Sequence, residues 1–256
     1  MQTSQTNTEI EADIEKDLFG HPIRESYNVE VLPVSVIDIE AQKKRSVGGH
    51  NANSSRSEYS PFPKEVASLC MEYYMRNANV VFDPFAGWGE RGQAAAAHQK
   101  QYIGYDISQA AIDEAASRGV KNILADSRTS DIPRHDGLVT CPPYWNLEKY
   151  AGGGLSDMDS WSEFLRDYSK VLSRSWDMAE SGSMYCIMVG EWRSSGVFYD
   201  LEYQTRKIMD GLGAVIFDQV VISRKQVSKI KVMLPQAKRL GYTVRVHESL
   251  LVFLKK

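Results

Sequence analysis

Apolar runs and helical-period segments alternate along most of this chain. Pro63 stands where a helix starts, with Glu65 in its first turn. Val66, Leu69, Cys70, Tyr73 and Tyr74 then follow helical spacing. Val80–Asp83 reads as a strand, Arg91–His98 as a helix with four consecutive alanines, and Tyr102–Asp106 as a second strand. Ser108 caps a helix that runs through Arg118 and ends at Gly119. Short strands follow at Asn122–Ala125 and Gly137–Thr140. Trp161–Met178 is a long helix with apolar positions at Trp161, Phe164, Leu165, Tyr168 and Leu172. Ser183–Val189 is the next strand and Tyr199–Gly211 the next helix. Val215–Ile222 and Leu250–Leu254 read as two final strands, a hairpin around a basic insertion. Val31–Ile39 has the pattern of an edge strand.

Strands alternating with helices imply an α/β domain, doubly wound, with a mostly parallel sheet and helices on both faces. Residues 1–25 are polar, acidic and without periodicity, which predicts a disordered tail. Gln42–Ser60, rich in Ser, Asn, Gly and basic residues, reads as a loop. Residues 26–256 are then expected to form a single domain, an ordinary size for one hydrophobic core.

Composition narrows the classes. With 43% hydrophobic and 25% charged residues, the chain has a typical globular balance. No apolar stretch is long enough to span a membrane, and the polar start is not a signal peptide, so a cytoplasmic protein without a membrane partner is expected. Cys70, Cys141 and Cys186 are far apart and form no CxxC pair, so neither zinc nor any other metal, nor a disulfide framework, is expected.

The net charge of −3 conceals a division. Glu9, Glu11, Asp13, Glu15 and Asp17 against Lys16 alone give the first 20 residues −4, leaving +1 for the rest. The insertion at about 224–247 holds Arg224, Lys225, Lys229, Lys231, Lys238, Arg239 and Arg245 and no acid. Such a block neutralises phosphates and releases counterions, or it is a solvated basic face.

Two segments carry the chemistry. Asp83-Pro84-Phe85-Ala86-Gly87-Trp88-Gly89 follows one apolar run, and Thr140-Cys141-Pro142-Pro143-Tyr144-Trp145 follows another. In open α/β sheets ligands bind beyond the carboxyl ends of the strands, so the two turns belong to one site. Gly87 and Gly89 permit close backbone approach to a ligand, or simply a tight strand-to-helix turn. Asp106, 23 residues after Asp83, ends the neighbouring strand, where an acid can hold two ribose hydroxyls. Asp126 ends the next strand, as an acceptor for a purine amine or as a turn residue. Consecutive prolines stiffen the second turn and remove N–H donors.

This pairing resembles the cofactor loop and the catalytic loop of S-adenosylmethionine (SAM)-dependent DNA amino-methyltransferases, bacterial or phage enzymes that methylate adenine N6 or cytosine N4. The resemblance runs from about Pro61 to Lys256 and rests on several motifs in order, among them Ser60-Pro61-Phe62-Pro63, which is similar to the family's "FP" motif. It implies a seven-stranded sheet of the methyltransferase type with a C-terminal hairpin. It also implies SAM as cofactor, with Phe62, Asp83, Phe85, Gly87, Gly89, Asp106 and Asp126 around it. Asp83 would accept a hydrogen bond from the cofactor's amino group or from bound water.

In the family pattern, (Asp/Asn/Ser)-Pro-Pro-(Tyr/Phe/Trp), the first side chain and the first proline carbonyl accept the amine hydrogens, and the aromatic ring stacks on an extruded base. Here those positions are Cys141, Pro142, Pro143 and Tyr144. Cysteine departs from the pattern, and three readings stay open: a substitute for serine, a thiolate that is also nucleophilic, or an inert residue in a protein that binds without methylating. Gly152, Gly153 and Gly154 then mark a lid over the base pocket or a plain loop.

DNA is the expected partner. No separate target-recognition domain is visible, so recognition falls to short insertions, to the second subunit of a homodimer, or is nearly absent. An RNA base-amine methyltransferase and a non-catalytic SAM- or nucleic-acid-binding module are the alternatives.

Overall fold

The computed structural model describes residues 34–39, 62–147, 153–224 and 230–256, without the side chains of residues 231 and 232. The expected acidic tail, the loop at Gln42–Ser60 and the positions of Lys225 and Lys229 lie outside the described residues.

Strand β2 (Val80–Asp83) sits at the middle of the cofactor half. It pairs in parallel with β3 (Gln101–Asp106) on one side and β5 (His135–Thr140) on the other. The full order is β1-β9-β10-β6-β5-β2-β3-β4, with β1 Val36–Asp38, β4 Ile123–Leu124, β6 Ala179–Val189, β9 Val215–Ser223 and β10 His247–Leu254. β10 runs antiparallel to both β6 and β9, which makes the expected terminal hairpin. The sheet therefore has eight strands rather than seven. The extra one is the edge strand β1, parallel to β9 through Val36–Val221 and Ile37–Ile222.

Alternation within each strand divides the core into two layers. Val81, Val139, Leu250 and Val252 face one side, against Val66 and Leu69 of α1 (Lys64–Leu69) and Ala94 and Ala95 of α2 (Glu90–Ala97). Phe82, Leu138, Leu251 and Phe253 face the other, against Phe164, Tyr168 and Leu172 of α4 (Trp161–Met178). The alanines of α2 let that helix lie close to the sheet, as their run predicts. Two of the three helices still to be placed carry side-chain caps: Ser108 accepts from Ala111 N at 3.4 Å for α3 (Gln109–Ser117), and Asp200 accepts from Tyr203 N at 2.8 Å for α5 (Leu201–Gly211).

Three features depart from the expected elements. α1 continues as a wider π-type turn over Cys70–Tyr74. Val197–Asp200 forms β8, not the start of α5, and pairs with β7 (Glu191–Ser194) in a separate hairpin. Its turn is Ser195-Gly196, both at positive φ, the geometry that suits a two-residue hairpin. Within the basic insertion, Ile230–Leu240 forms helix α6 despite Pro235. No described helix is long and apolar enough to cross a membrane.

Candidate active site

The turns after β2 and β5 open into one cavity. Its wall includes Phe62, Phe85, Gly87, Asp106 and Asp126 on one part, and Cys141, Pro142, Pro143 and Tyr144 on another. Most of the residues singled out in the sequence are therefore brought together, although the two turns are 58 positions apart.

The first turn is tightly built. Gly87 (φ +55°) and Gly89 (φ +91°) both take backbone conformations that disfavour a side chain. Gly87 N donates to Asp106 Oδ2 at 2.8 Å, and its carbonyl accepts from Asn122 Nδ2 at 3.0 Å. Gly89 lies outside the cavity wall. It precedes α2, where a Cβ would meet Val120 at 3.0 Å. Its role is helix packing and turn geometry, a correction to the expected cofactor contact.

Asp83 needs a similar correction. It is fully buried and absent from the cavity wall. Its carboxylate accepts from Arg91 Nε at 2.5 Å, Tyr102 Oη at 2.8 Å, Thr140 Oγ1 at 2.7 Å and Phe85 N at 3.1 Å. Those four donors occupy both carboxylate oxygens and tie the turn to β3, β5 and α2, so the expected contact with the cofactor is not seen in this arrangement. Arg91 in turn donates to the Phe85 carbonyl at 2.6 Å, and its guanidinium lies over the Phe62 ring, 4.8 Å from the centroid.

Asp106 does face the cavity. Its Oδ1 accepts from Ser108 N at 2.9 Å while Oδ2 takes Gly87 N. Burial pushes its carboxyl above the ordinary value, and the nearby Asp83 charge adds to this, against the pull of the two N–H donors. Asp126 is held by Arg128, whose Nη2 and Nε donate at 2.7 and 3.0 Å. Burial works upward on Asp126, but the Arg128 side chain and backbone N–H outweigh it, and the carboxyl sits below its usual range.

In the second turn, Pro142 is buried and Cys141, Pro143 and Tyr144 are half-buried. The Tyr144 ring stacks on Trp192 of β7, with centroids 5.2 Å apart and planes 19° from parallel. Its hydroxyl donates to Glu248 Oε1 at 2.8 Å. Gly154, Leu155 and Ser156 close part of the wall, and Ser156 Oγ is buried without a hydrogen-bond partner among the described residues.

Among the described residues, the basic positions of the insertion do not share one face. Arg224 turns inward, lines the cavity and pairs with Glu248 at 2.6 Å, a correction to its expected place as a phosphate contact. Lys238 and Arg239 are exposed at the end of α6, and Lys231 lies in its first turn. Glu248, Trp88 and Ser156 also line the cavity but are not singled out as site residues by the sequence, although Trp88 lies between the two glycines of the first turn and Glu248 in the segment His247–Phe253, which resembles the end of DNA amino-methyltransferases. No group of three or more His, Cys, Asp or Glu among the described residues is arranged to hold a metal ion.

Residues 14–117 match the DNA methylase family model N6_N4_Mtase. The matched segment includes the Asp83–Gly89 turn and Asp106 and ends before Cys141. No curated protein matches the chain by sequence. Among solved structures, TrmN from Thermus thermophilus aligns at 14% identity and a TM-score of 0.52, over 79% of this chain and 51% of TrmN. The chain thus spans about half the length of that relative. The N-methyltransferase NodS from Bradyrhizobium japonicum WM9 aligns at 12% and 0.52, over 75% and 95%. The 1,6-didemethyltoxoflavin-N1-methyltransferase of Burkholderia thailandensis aligns at 15% and 0.50, over 75% and 78%. The fold is that of the SAM-dependent methyltransferases, and the segment that matches the DNA methylase model falls in its cofactor half.

Proposed function

From that fold and that match, we propose that the chain is a SAM-dependent methyltransferase acting on an exocyclic base amine in DNA, cytosine N4 or adenine N6. The observation that carries this reading is the shared cavity: the Gly87 turn and the Cys141–Tyr144 turn line the same space.

The residues present fit SAM. A Cβ at Gly87 would meet no atom within 4 Å, so this part of the turn leaves open space. Asp106 offers a fixed carboxylate at the end of β3 for the ribose hydroxyls. Phe62 and Phe85 supply apolar wall, and Asp126, held by Arg128 in the same wall, would accept from the adenine amine. SAM supplies, when bound, a methyl group activated for transfer to a nucleophile.

The second turn prepares that nucleophile. The lone pair of a base amine is delocalised into the ring, so acceptors on its hydrogens are needed to draw the nitrogen toward tetrahedral geometry. The Pro142 carbonyl is the main acceptor, and the Cys141 sulfur takes the place of the usual oxygen. Charge developing on the amine is favoured by such preorganised acceptors in a site that excludes water. Tyr144 lines the cavity, its ring held in a stack on Trp192, and would supply the aromatic surface for an extruded base. Trp192 and Glu248 hold the ring so that stacking costs little reordering.

Lys238 and Arg239, with Lys225, Lys229 and Lys231, are assigned to DNA phosphates. Residues 26–256 would act as one methyltransferase domain, in the cytoplasm, with a homodimer as the assembly that enlarges the DNA contact.

Incubation with methyl-labelled SAM and duplex DNA, single-stranded DNA or total RNA, followed by digestion to nucleosides, tests this. Label in N4-methylcytosine or N6-methyladenine from DNA is the expected result. Label only in RNA, or SAM binding without transfer, overturns it.

A further inference from the structure

We propose that Arg224 and Glu248 read the ring edge of the target base and that the pair selects cytosine over adenine. This rests on the base-amine reading above and adds the identity of the base.

Arg224 follows β9 and Glu248 lies on β10, and both line the cavity. They are tied to the reaction turn, not to the cofactor turn. Glu248 Oε1 accepts from Tyr144 Oη at 2.8 Å, and Glu248 Oε2 faces Arg224 Nη2 at 2.6 Å. Gly190 leaves room for this arrangement: a Cβ there would meet Glu248 Cγ at 3.2 Å and Tyr144 Oη at 3.3 Å. The ring proposed to stack the base and the charged pair are therefore one assembly.

A purely structural pair would have to hold the β9–β10 ends together. The ladder already does so, with register running from His247–Ser223 to Leu254–Val215. The pair is also costly. Its side chains retain only 25% and 16% exposure, and taking two charges out of water is weakly stabilising at best. Nor is it saturated: Arg224 Nε and Glu248 Oε2 are both buried without a hydrogen-bond partner among the described residues, so the 2.6 Å contact is an ion pair without hydrogen-bond geometry. A guanidinium at the cavity wall, paired with a carboxylate but not saturated by it, has hydrogen-bonding capacity that a ligand's acceptors can take up.

Base chemistry chooses the ligand. On the pairing edge of cytosine the amine is followed by two adjacent acceptors, N3 and O2. On adenine the amine is followed by one acceptor, N1, and then a C–H. The planar fork of arginine matches two adjacent acceptors and would leave a donor unpaired against adenine. With the amine at the Pro142 carbonyl, the remaining edge is the part left for Arg224. Glu248 keeps the site neutral and fixes the fork.

The test compares the full chain with Arg224→Met, Arg224→Lys and Glu248→Gln in three measurements. These are affinity for S-adenosylhomocysteine, labelled methyl transfer to oligonucleotides of only dC and dT or only dA and dT, and binding of dCMP against dAMP to protein saturated with S-adenosylhomocysteine. The wild type is expected to label only the dC oligonucleotide and to prefer dCMP. Arg224→Met and Arg224→Lys are expected to raise KM for that oligonucleotide about 10- to 100-fold and to lose the dCMP preference, with S-adenosylhomocysteine affinity unchanged within about twofold. Glu248→Gln is expected to weaken the preference less. Arg224→Lys keeps the charge, so its loss of preference separates fork geometry from folding. Label in N6-methyladenine, a dCMP preference unchanged in the Arg224 variants, or no binding of either nucleotide overturns the proposal. Loss of S-adenosylhomocysteine binding in those variants also overturns it, by making Arg224 a cofactor residue. If no oligonucleotide is methylated but dCMP preference still depends on Arg224, the edge-reading stands and the methyl-transfer reading falls.

Discussion

Thr140 donates its hydroxyl to Asp83 Oδ1 at 2.7 Å, with both residues fully buried. Each is the last residue of its strand, one before the cofactor turn and the other before the reaction turn. This hydrogen bond ties together the ends of two strands that already pair in parallel, at the point where the two turns diverge. Asp83 is a positioning residue in this account, although its place at the strand end reads like a ligand contact.

Removing the Asp83 charge leaves Arg91, 5% exposed, without its counter-ion. Asp83→Asn is expected to destabilise the fold by about 3–5 kcal/mol. Thr140→Val, which deletes one donor, is expected to cost about 1–3 kcal/mol. Urea unfolding monitored by circular dichroism measures both. Asp83→Asn with wild-type stability and abolished SAM binding would reverse the assignment and make Asp83 a direct ligand.

Asp106 predicts a pH dependence. The ribose hydroxyls need the ionised carboxylate, and burial raises its pKa above the ordinary value. SAM affinity should therefore fall as pH drops through a pKa that lies above the ordinary carboxylate value. In Asp106→Asn, affinity should fall about 10- to 100-fold and this pH dependence should vanish. Calorimetric titration at several pH values reads both effects. A flat profile in the wild type would remove Asp106 from the ribose.

Cys141 is expected to act as an acceptor second to the Pro142 carbonyl. Cys141→Ser should retain or improve methyl transfer, while Cys141→Ala should lower kcat by roughly tenfold, the size of one net hydrogen bond. Single-turnover transfer from labelled SAM measures this. Equal activity in both variants makes the side chain dispensable, and loss in both makes the thiol itself necessary.

His135 provides a stability prediction away from the site. The Pro133 carbonyl can only accept, so Nδ1 carries the proton and Nε2 accepts from Tyr185 Oη, each at 2.8 Å. Burial lowers its pKa from 6.5. The unfolded chain therefore binds the proton more readily, and the stability His135 contributes is full above pH 6.5 and lost as pH falls through the lower folded value. The difference in unfolding free energy between wild type and His135→Gln should shrink on acidification from pH 8; a constant difference contradicts the neutral buried imidazole.

Much of this architecture is legible in the sequence because burial on both faces leaves continuous apolar runs. Val80-Val81-Phe82 and Leu138-Val139 are such runs, and the turns that follow them meet in space as their strand ends predict. The partners of Asp83 are not legible in the sequence because they are not local: Thr140 is 57 positions away, and Arg91 reaches back from the next helix. The β7–β8 hairpin is hard to read from sequence because each arm is only four residues long, and only Ser195-Gly196 marks its turn. Helix α6 contradicts local propensity at Pro235. Arg224 was hidden in a run of like charges, where nothing local distinguishes an inward-facing residue from a solvated one.

The central claim is that one cavity brings a methyl donor to the reaction turn. A crystal structure with S-adenosylhomocysteine tests it most directly. The account predicts the ribose at Asp106, the methionine end beside Gly87 and the sulfur directed toward Pro142 and Cys141. A cofactor seated elsewhere, or its sulfur separated from the Cys141–Tyr144 turn by protein, would contradict it.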